Sequence, residues 1–276
     1  EAMVKAAGTE AFAQASIEPE NSGDYNLGLV LATNFGPMES LEWCWRERID
    51  VGSLDKATFE RFDAFPQLIA DFFGCRGPIA QLSLSCASGT AAAALGVDWI
   101  RSGRAERVLV IGYDVLTEYC WTGLSNLGTM SSRAIRPFDK TRDGTIFSEG
   151  AAALLLAVTS GAEENDRVIQ IAGAATNNNA FHMTAPPKGA VGSARVMAAS
   201  LEDAAMNATD IQHICAHATA TRANDPAEVA ALKTVFGERL AEMTVSGHKS
   251  QFRHMMGAAG LAEAIATVKI LENQII

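Results

Sequence analysis

The sequence predicts a layered α/β protein with a mainly parallel sheet, and three observations carry this. Continuous apolar runs at Leu27–Ala32, Arg107–Gly112 and Ala151–Val158 read as strands covered on both faces. These runs alternate with stretches of helical spacing. Glycines and prolines punctuate the joints.

Taken in order, residues 2–15 are Ala-rich at helical spacing, and Asn21-Ser22-Gly23-Asp24 breaks them. Leu27–Ala32 is the first strand, and Asn34-Phe35-Gly36-Pro37 turns the chain. Helices are expected near 38–47 and 56–73, the second closed by Gly74. Leu82–Ser85 reads as a short strand and Ala87–Ser102 as a helix, with Gly103 suited to a left-handed cap. Residues 113–150 read as loop and short helix rich in Gly, Ser, Thr and Arg, and a loop region that long is usually functional. Thr159–Asp166 is a polar break that divides 1–158 from 159–276. Beyond it come a strand at Val168–Ala172 and a helix capped by Ser193, running to about Asn207. A strand at Ile211–Ala216 and a helix from Asp225-Pro226 to Phe236-Gly237 follow. A strand at Met243–Ser246 and a helix at Gly257–Leu271 complete the series. The two halves share this coarse rhythm without a clear sequence repeat.

The chain has 276 residues, 48% hydrophobic and 20% charged, enough for a sizeable core. A formal charge of −10 and a pI of about 5.0 argue against nucleic acid as the main partner. No apolar run approaches the roughly 18 residues that span a bilayer, and the start lacks a signal peptide's apolar centre. The five cysteines, at 44, 75, 86, 120 and 215, contain no Cys-x-x-Cys pair. They support neither a disulfide framework nor a zinc site, and a reducing cytoplasm is the expected location. Arg133, Arg136, Lys140 and Arg142 form either a local patch for an acidic partner or an ordinary solvated loop.

Cys86 sits at the joint between strand and helix, in Ser-Leu-Ser-Cys-Ala-Ser-Gly-Thr. A thiol there faces the free N–H groups of the first helical turn, and the helix dipole favours its thiolate. A lone cysteine is by itself more readily a buried structural residue. His217 and His254 also fall just after strands, where ligands bind in open α/β sheets, so the three can converge. Lys249 lies five residues before His254, and Glu263 lies in the last helix. A Lys–Glu pair beside a histidine can fix its tautomer and charge. Each histidine alone reads as structural; with Cys86, a site is the better reading. His182 reads as part of a surface loop, and His213 and His248 as structural or exposed. On a strand, His213 and His217 are roughly 13 Å apart, too far to share an ion. Glu149, between apolar stretches, is expected to be buried and paired.

These motifs fall together with several others. They are Ser85-Cys86-Ala87-Ser88-Gly89, the run from Arg136 through Asp139 to Gly144, and Phe181-His182 through Pro187. Ala216-His217-Ala218-Thr219-Ala220-Thr221 follows, with Asn224-Asp225-Pro226 and Glu228, then Lys249-Ser250 and His254 through Gly260. In this order the sequence resembles the β-ketoacyl synthases, condensing enzymes of the thiolase-like group, over nearly its whole length and closest to the fatty-acid type. The resemblance implies an αβαβα sandwich of two similar halves, here truncated at both ends, because the family's C-terminal glycine-rich loop and first strand and helix have no counterpart. Cys86 matches the acyl-accepting nucleophile, His217 and His254 the histidines that act on the malonyl group, and Lys249 and Glu263 their supporting pair. Thr219 and Thr221 match the threonines that hold the phosphopantetheine arm of an acyl carrier protein. The implied activity is 3-oxoacyl-[acyl-carrier-protein] synthase, with no metal or redox cofactor and usually as a homodimer. Two preset N–H donors facing a developing enolate suit this chemistry, since losing one such donor elsewhere costs about 3–4 kcal/mol. Alternatives are a polyketide-type ketosynthase, a coenzyme A thiolase, and a non-catalytic partner subunit like the chain-length factors, which would make a heterodimer. The chain departs from the family pattern at Ala218 and Arg253, both usually glycine, and at His248, usually small.

Overall fold

The computed structural model describes residues 1–17, 26–47, 64–158, 168–182 and 186–275. The expected breaks at 21–24 and 159–166 and the start of the 56–73 helix lie outside them. Two compact units interleave along the chain. The first comprises Glu1–Asn126, Ser148–Asn165 and Met255–Ile265; the second comprises Leu127–Phe147, Asp166–His254 and Ala266–Ile276.

In the first unit a four-stranded sheet runs in the order β2-β1-β3-β4. The strands are β1 (Leu27–Ala32), β2 (Ile79–Leu82), β3 (Arg107–Asp114) and β4 (Gly150–Ala157). β1 is parallel to β2 and β3, whereas β4 is antiparallel to β3. The apolar runs of β1 and β3 bury both faces. Leu27, Leu29, Leu31, Leu109 and Ile111 share one core with Phe12, Ile69 and Phe73 of the α1 (Ala2–Gln14) and α3 (Phe65–Phe72) side. Val30, Ala32, Val108 and Val110 share another with Ala92 and Trp99 of α4 (Ser88–Arg101) and with Leu261. Alternate side chains go to opposite faces, as a pleated strand requires. The remaining helices here, α2 (Met38–Arg46) and α5 (Glu118–Asn126), are joined by Arg46–Glu118 at 2.8 Å.

The small-residue run after His254 has a packing reason. A Cβ on Gly89 would lie 2.8 Å from the Gly257 carbonyl oxygen, and one on Gly112 would lie 3.0 Å from the Ala258 Cα. Asp114, at the end of β3, is 1% exposed and holds the turn in place. It accepts from the Thr33 hydroxyl (2.8 Å) and from the N–H groups of Asn34 (2.9 Å), Phe35 (3.0 Å) and Gly257 (2.6 Å). Burial pushes its carboxyl above the usual range, against the pull of those four donors.

In the second unit β5 (His213–Cys215) and β6 (Thr244–Ser246) pair in parallel. α6 (Val191–Asp203) and α7 (Asn224–Phe236) share a small core of Ala190, Ala194 and Ala231 with Met197 and Val235. The single turn α8 is Lys249–Phe252; the last described helix, α9 (Ala259–Asn273), belongs to the first unit up to Ile265 and to the second from Ala266.

Several expectations are corrected. Val168–Ala172 joins neither ladder, and Val168, Ile169 and Ile171 are exposed. The helix expected from Ser193 starts at Val191, because the chain turns at Gly189 (φ 74°) and Ala190 (φ 48°) caps it instead. Glu149 is exposed rather than buried, and its carboxylate accepts from the Leu116 N–H at 3.3 Å. For the basic cluster, where two readings were open, the arginines and the lysine divide. Arg136 pairs with Asp143 at 3.1 Å and Arg142 lies 3.8 Å from buried Asp225, while Arg133 and Lys140 are exposed. Among the described residues, no helix is long and apolar enough to cross a membrane.

Candidate active site

Cys86 lies in the first unit, two residues ahead of α4. β2 ends at Leu82, earlier than expected, because the chain turns through Ser85 in the left-handed region (φ 53°). Ser88, fully buried, closes that turn. Its hydroxyl accepts from the Leu84 N–H at 2.8 Å and donates to the Ser85 carbonyl at 2.6 Å. The sharp turn leaves the Cys86 side chain only partly buried at the positive end of a 14-residue helix. That is the environment that favours a thiolate. Glu263 is buried in α9, also in the first unit.

The second unit brings His217, His254 and Lys249 together. His217 follows β5, and its ring lies edge-on to that of His254, with centroids 5.5 Å apart. The His254 ring also stacks on Phe147, 5.4 Å between centroids. The His254 N–H donates to the Ile146 carbonyl at 2.9 Å. Phe147 was not singled out in the sequence, where it is one apolar residue in a long loop. Lys249 is 0% exposed, and its Nζ lies 3.3 Å from His217 Nδ1. An ammonium has only protons to offer, so Nδ1 accepts and the neutral ring carries its proton on Nε2. Burial and the Lys249 charge push His217 down to about 3. Burial, His217 and Lys249 push His254 well below its usual range. Both rings are therefore neutral at pH 7.

Two carboxylates hold the backbone around His217. Glu228 accepts from the N–H groups of His217 (2.6 Å) and Ala218 (2.9 Å). Asp225, 2% exposed, accepts from Ala220 (3.0 Å) and from Phe138 (2.7 Å), which ties in the 136–144 loop. Their sequence signal is their place on one face of α7, three residues apart. Thr219 and Thr221 lie 3.1 Å apart, hydroxyl to hydroxyl, and Thr221 accepts from the Asn224 N–H at 3.1 Å. Ala218 (φ 46°) and Ala220 (φ 61°) are left-handed, and Arg253 (φ 67°, ψ −169°) is in a region almost confined to glycine. The exposed Arg253 thus holds strained backbone directly before His254. His182 is exposed.

The fold is that of a condensing-enzyme family, and comparison with known proteins shows the family. Residues 1–162 match the family described as "Beta-ketoacyl synthase, N-terminal domain" and residues 168–276 "Beta-ketoacyl synthase, C-terminal domain". The chain belongs to the β-ketoacyl synthase family and has its thiolase-like fold. It is 31% identical to "Nodulation protein E" of Rhizobium meliloti (strain 1021), over 97% of this chain and 68% of that protein. It is 31% identical to "3-oxoacyl-[acyl-carrier-protein] synthase 2" of Staphylococcus aureus, over 89% of this chain and 64% of that protein. Among solved structures it resembles a type II PKS ketosynthase in complex with its acyl-carrier protein and bound to the hexaketide. The TM-score is 0.88 at 27% identity, covering 99% of this chain and 72% of that one. It also resembles the ishigamide ketosynthase/chain length factor, with a TM-score of 0.77 at 27% identity, covering 97% and 69%.

Two outcomes are expected. The unfolded chain protonates His217 near 6.5 and the folded chain only near 3. The His217 contribution is then complete above pH 6.5 and is lost as pH falls towards 3. Urea midpoints should fall over that window, and His217→Gln should flatten the fall; equal slopes in both proteins contradict the assignment. Replacing Arg253 by Gly relieves about 1–3 kcal/mol of backbone strain and adds about 0.5–1 kcal/mol of unfolded-chain freedom. Arg253→Gly should therefore raise stability by about 1 kcal/mol, read from the urea midpoint at unchanged slope.

Proposed function

We propose that the chain is a condensing acyltransferase, a 3-oxoacyl-[acyl-carrier-protein] synthase. The observation that carries this is the pair of neutral imidazoles, His217 and His254, with Lys249 fixing the Nε2–H form of His217. Cys86 at the head of α4 supplies the nucleophile. In the first stage its thiolate attacks an acyl-carrier thioester; the C–S bond to the carrier breaks, and the carrier leaves as its thiolate, which takes a proton from solvent. In the second stage malonyl carrier loses carbon dioxide. The electron pair released becomes an enolate, whose oxygen the ring N–H groups of His217 and His254 stabilise. The carbanion carbon attacks the acyl-Cys86 carbonyl, the C–S bond breaks, and 3-oxoacyl carrier and the Cys86 thiolate result.

Thr219 and Thr221 are assigned to the phosphopantetheine arm, and Glu263 with Lys249 to the charge around the histidines. The partner is an acyl carrier protein, and the assembly is a dimer with a second copy or a related subunit. The steps call on no metal or redox cofactor, and a reducing cytoplasm suits the free thiol. The relatives, a 3-oxoacyl synthase among them, support this reading at 31% identity.

The test uses malonyl carrier and acyl carrier with the full-length parent protein, Cys86→Ala and His254→Ala. Condensation should be lost in both variants, and decarboxylation should survive in Cys86→Ala while falling about 100-fold or more in His254→Ala. A folded parent protein that neither condenses nor decarboxylates contradicts the reading and favours a non-catalytic partner subunit.

A further inference from the structure

Away from the histidine pair, the second unit contains two more histidines joined through one hydroxyl. Ser246 Oγ on β6 lies 3.1 Å from His213 Nε2 on β5 and 3.1 Å from His248 Nε2. On its other side, His213 Nδ1 lies 2.9 Å from the Thr244 hydroxyl, which reaches the Gln212 carbonyl at 3.4 Å. Proton counting gives this chain a direction. Thr244 has one hydroxyl proton and gives it to the Gln212 carbonyl, so it accepts from His213 Nδ1–H. His213 Nε2 is then bare and accepts the Ser246 proton. Ser246 in turn accepts from His248 Nε2–H. The two histidines are held in opposite tautomers.

The far end of the chain bears on Lys249. His248 is the residue that caps α8, and its carbonyl accepts from the Gln251 (2.8 Å) and Phe252 (3.3 Å) N–H groups. Its ring stacks on Phe252 at the other end of the same turn, 6.1 Å between centroids and 15° between planes. One residue therefore meets α8 at both ends, its carbonyl at the start and its ring at Phe252, and its ring ties the turn to the β5–β6 pair. Lys249 is the first residue of that helix.

We propose that His248 is a positioning residue, and that the one-way chain Thr244–His213–Ser246–His248 fixes the turn from which Lys249 reaches His217. The charged and titratable groups facing His248 are His213 from β5 and Lys249 from its own turn. Burial lowers the pKa of His213, and burial with His213 and Lys249 lowers that of His248, both in the direction the chain requires. Protonating His213 would put a second N–H on Ser246 and displace the Ser246 proton from its acceptor. The chain is thus intact above the His213 titration and broken below it. The proposal rests on the site described above but not on the reaction assigned to it, and its test is free of activity.

The test is nitrogen-15 NMR of the imidazoles in the full chain at pH 7, with folding followed by thermal melts. In the unsubstituted protein His213 should be the Nδ1–H tautomer and His248 the Nε2–H tautomer; the same tautomer in both overturns the chain. Ser246→Ala and His248→Phe, which keeps the stack on Phe252, should raise the Nδ1–H form of His217 about tenfold or more. His248→Gln, which keeps an amide donor near the Nε2 position, should leave the His217 signals unchanged. Unchanged His217 signals in all three variants, or equal changes in Phe and Gln, overturn the positioning role. Should Ser246→Ala fail to fold, the Phe and Gln pair decides.

Discussion

The rest of the site depends on the contact between the Lys249 ammonium and His217 Nδ1. A lysine with no exposed surface costs several kcal/mol to bury unless its protons find acceptors. A neutral imidazole is such an acceptor, provided its proton sits on the other nitrogen. The cost of burying the charge is thereby turned into a fixed tautomer. The same charge acts on His254, whose ring contacts both His217 and Phe147. A preset pair of neutral donors needs no reorganisation as charge develops, which is where electrostatic stabilisation is most effective.

Carboxylates aimed at backbone N–H groups supply the other half of the construction. Asp225 and Glu228 spend their oxygens on backbone N–H groups of the His217–Ala220 loop, and Asp114 does the same for the turn at Gly257 in the first unit. Such charge-assisted bonds are roughly twice as strong as neutral ones. They hold left-handed backbone at Ala218 and Ala220, residues that do not choose it. Arg253 is the extreme instance, a bulky side chain in a glycine conformation beside His254.

Much of this was legible in the sequence. Continuous apolar runs gave β1 and β3, because burial on both faces leaves no polar alternation to misread. Gly103, Gly237 and the Ser-Cys-Ala-Ser-Gly joint marked real ends of elements. The motif residues Cys86, His217, Lys249 and His254 were visible as residue types after strands. Strand ends were less legible. Leu82–Ser85 reads as extended, yet the Ser88 hydroxyl, four residues on from Leu84, pulls the chain into a turn. Val168–Ala172 has strand composition but depends on a neighbour that composition does not specify. Glu149 was misread because sequence shows charge, not the direction a side chain takes. Phe147 gave no local signal, since its contact with His254 spans a long sequence separation, and His248 stood out only as a departure from the family pattern.

The most direct measurement is the tautomer of His217 at pH 7, read by nitrogen-15 NMR in the unsubstituted protein and in Lys249→Met. A neutral ring protonated on Nε2 in the former, and a mixture of forms in the latter, is the result expected if the buried ammonium sets the donor. A charged ring or an Nδ1–H ring in the unsubstituted protein, or no change on removing the charge, would contradict it.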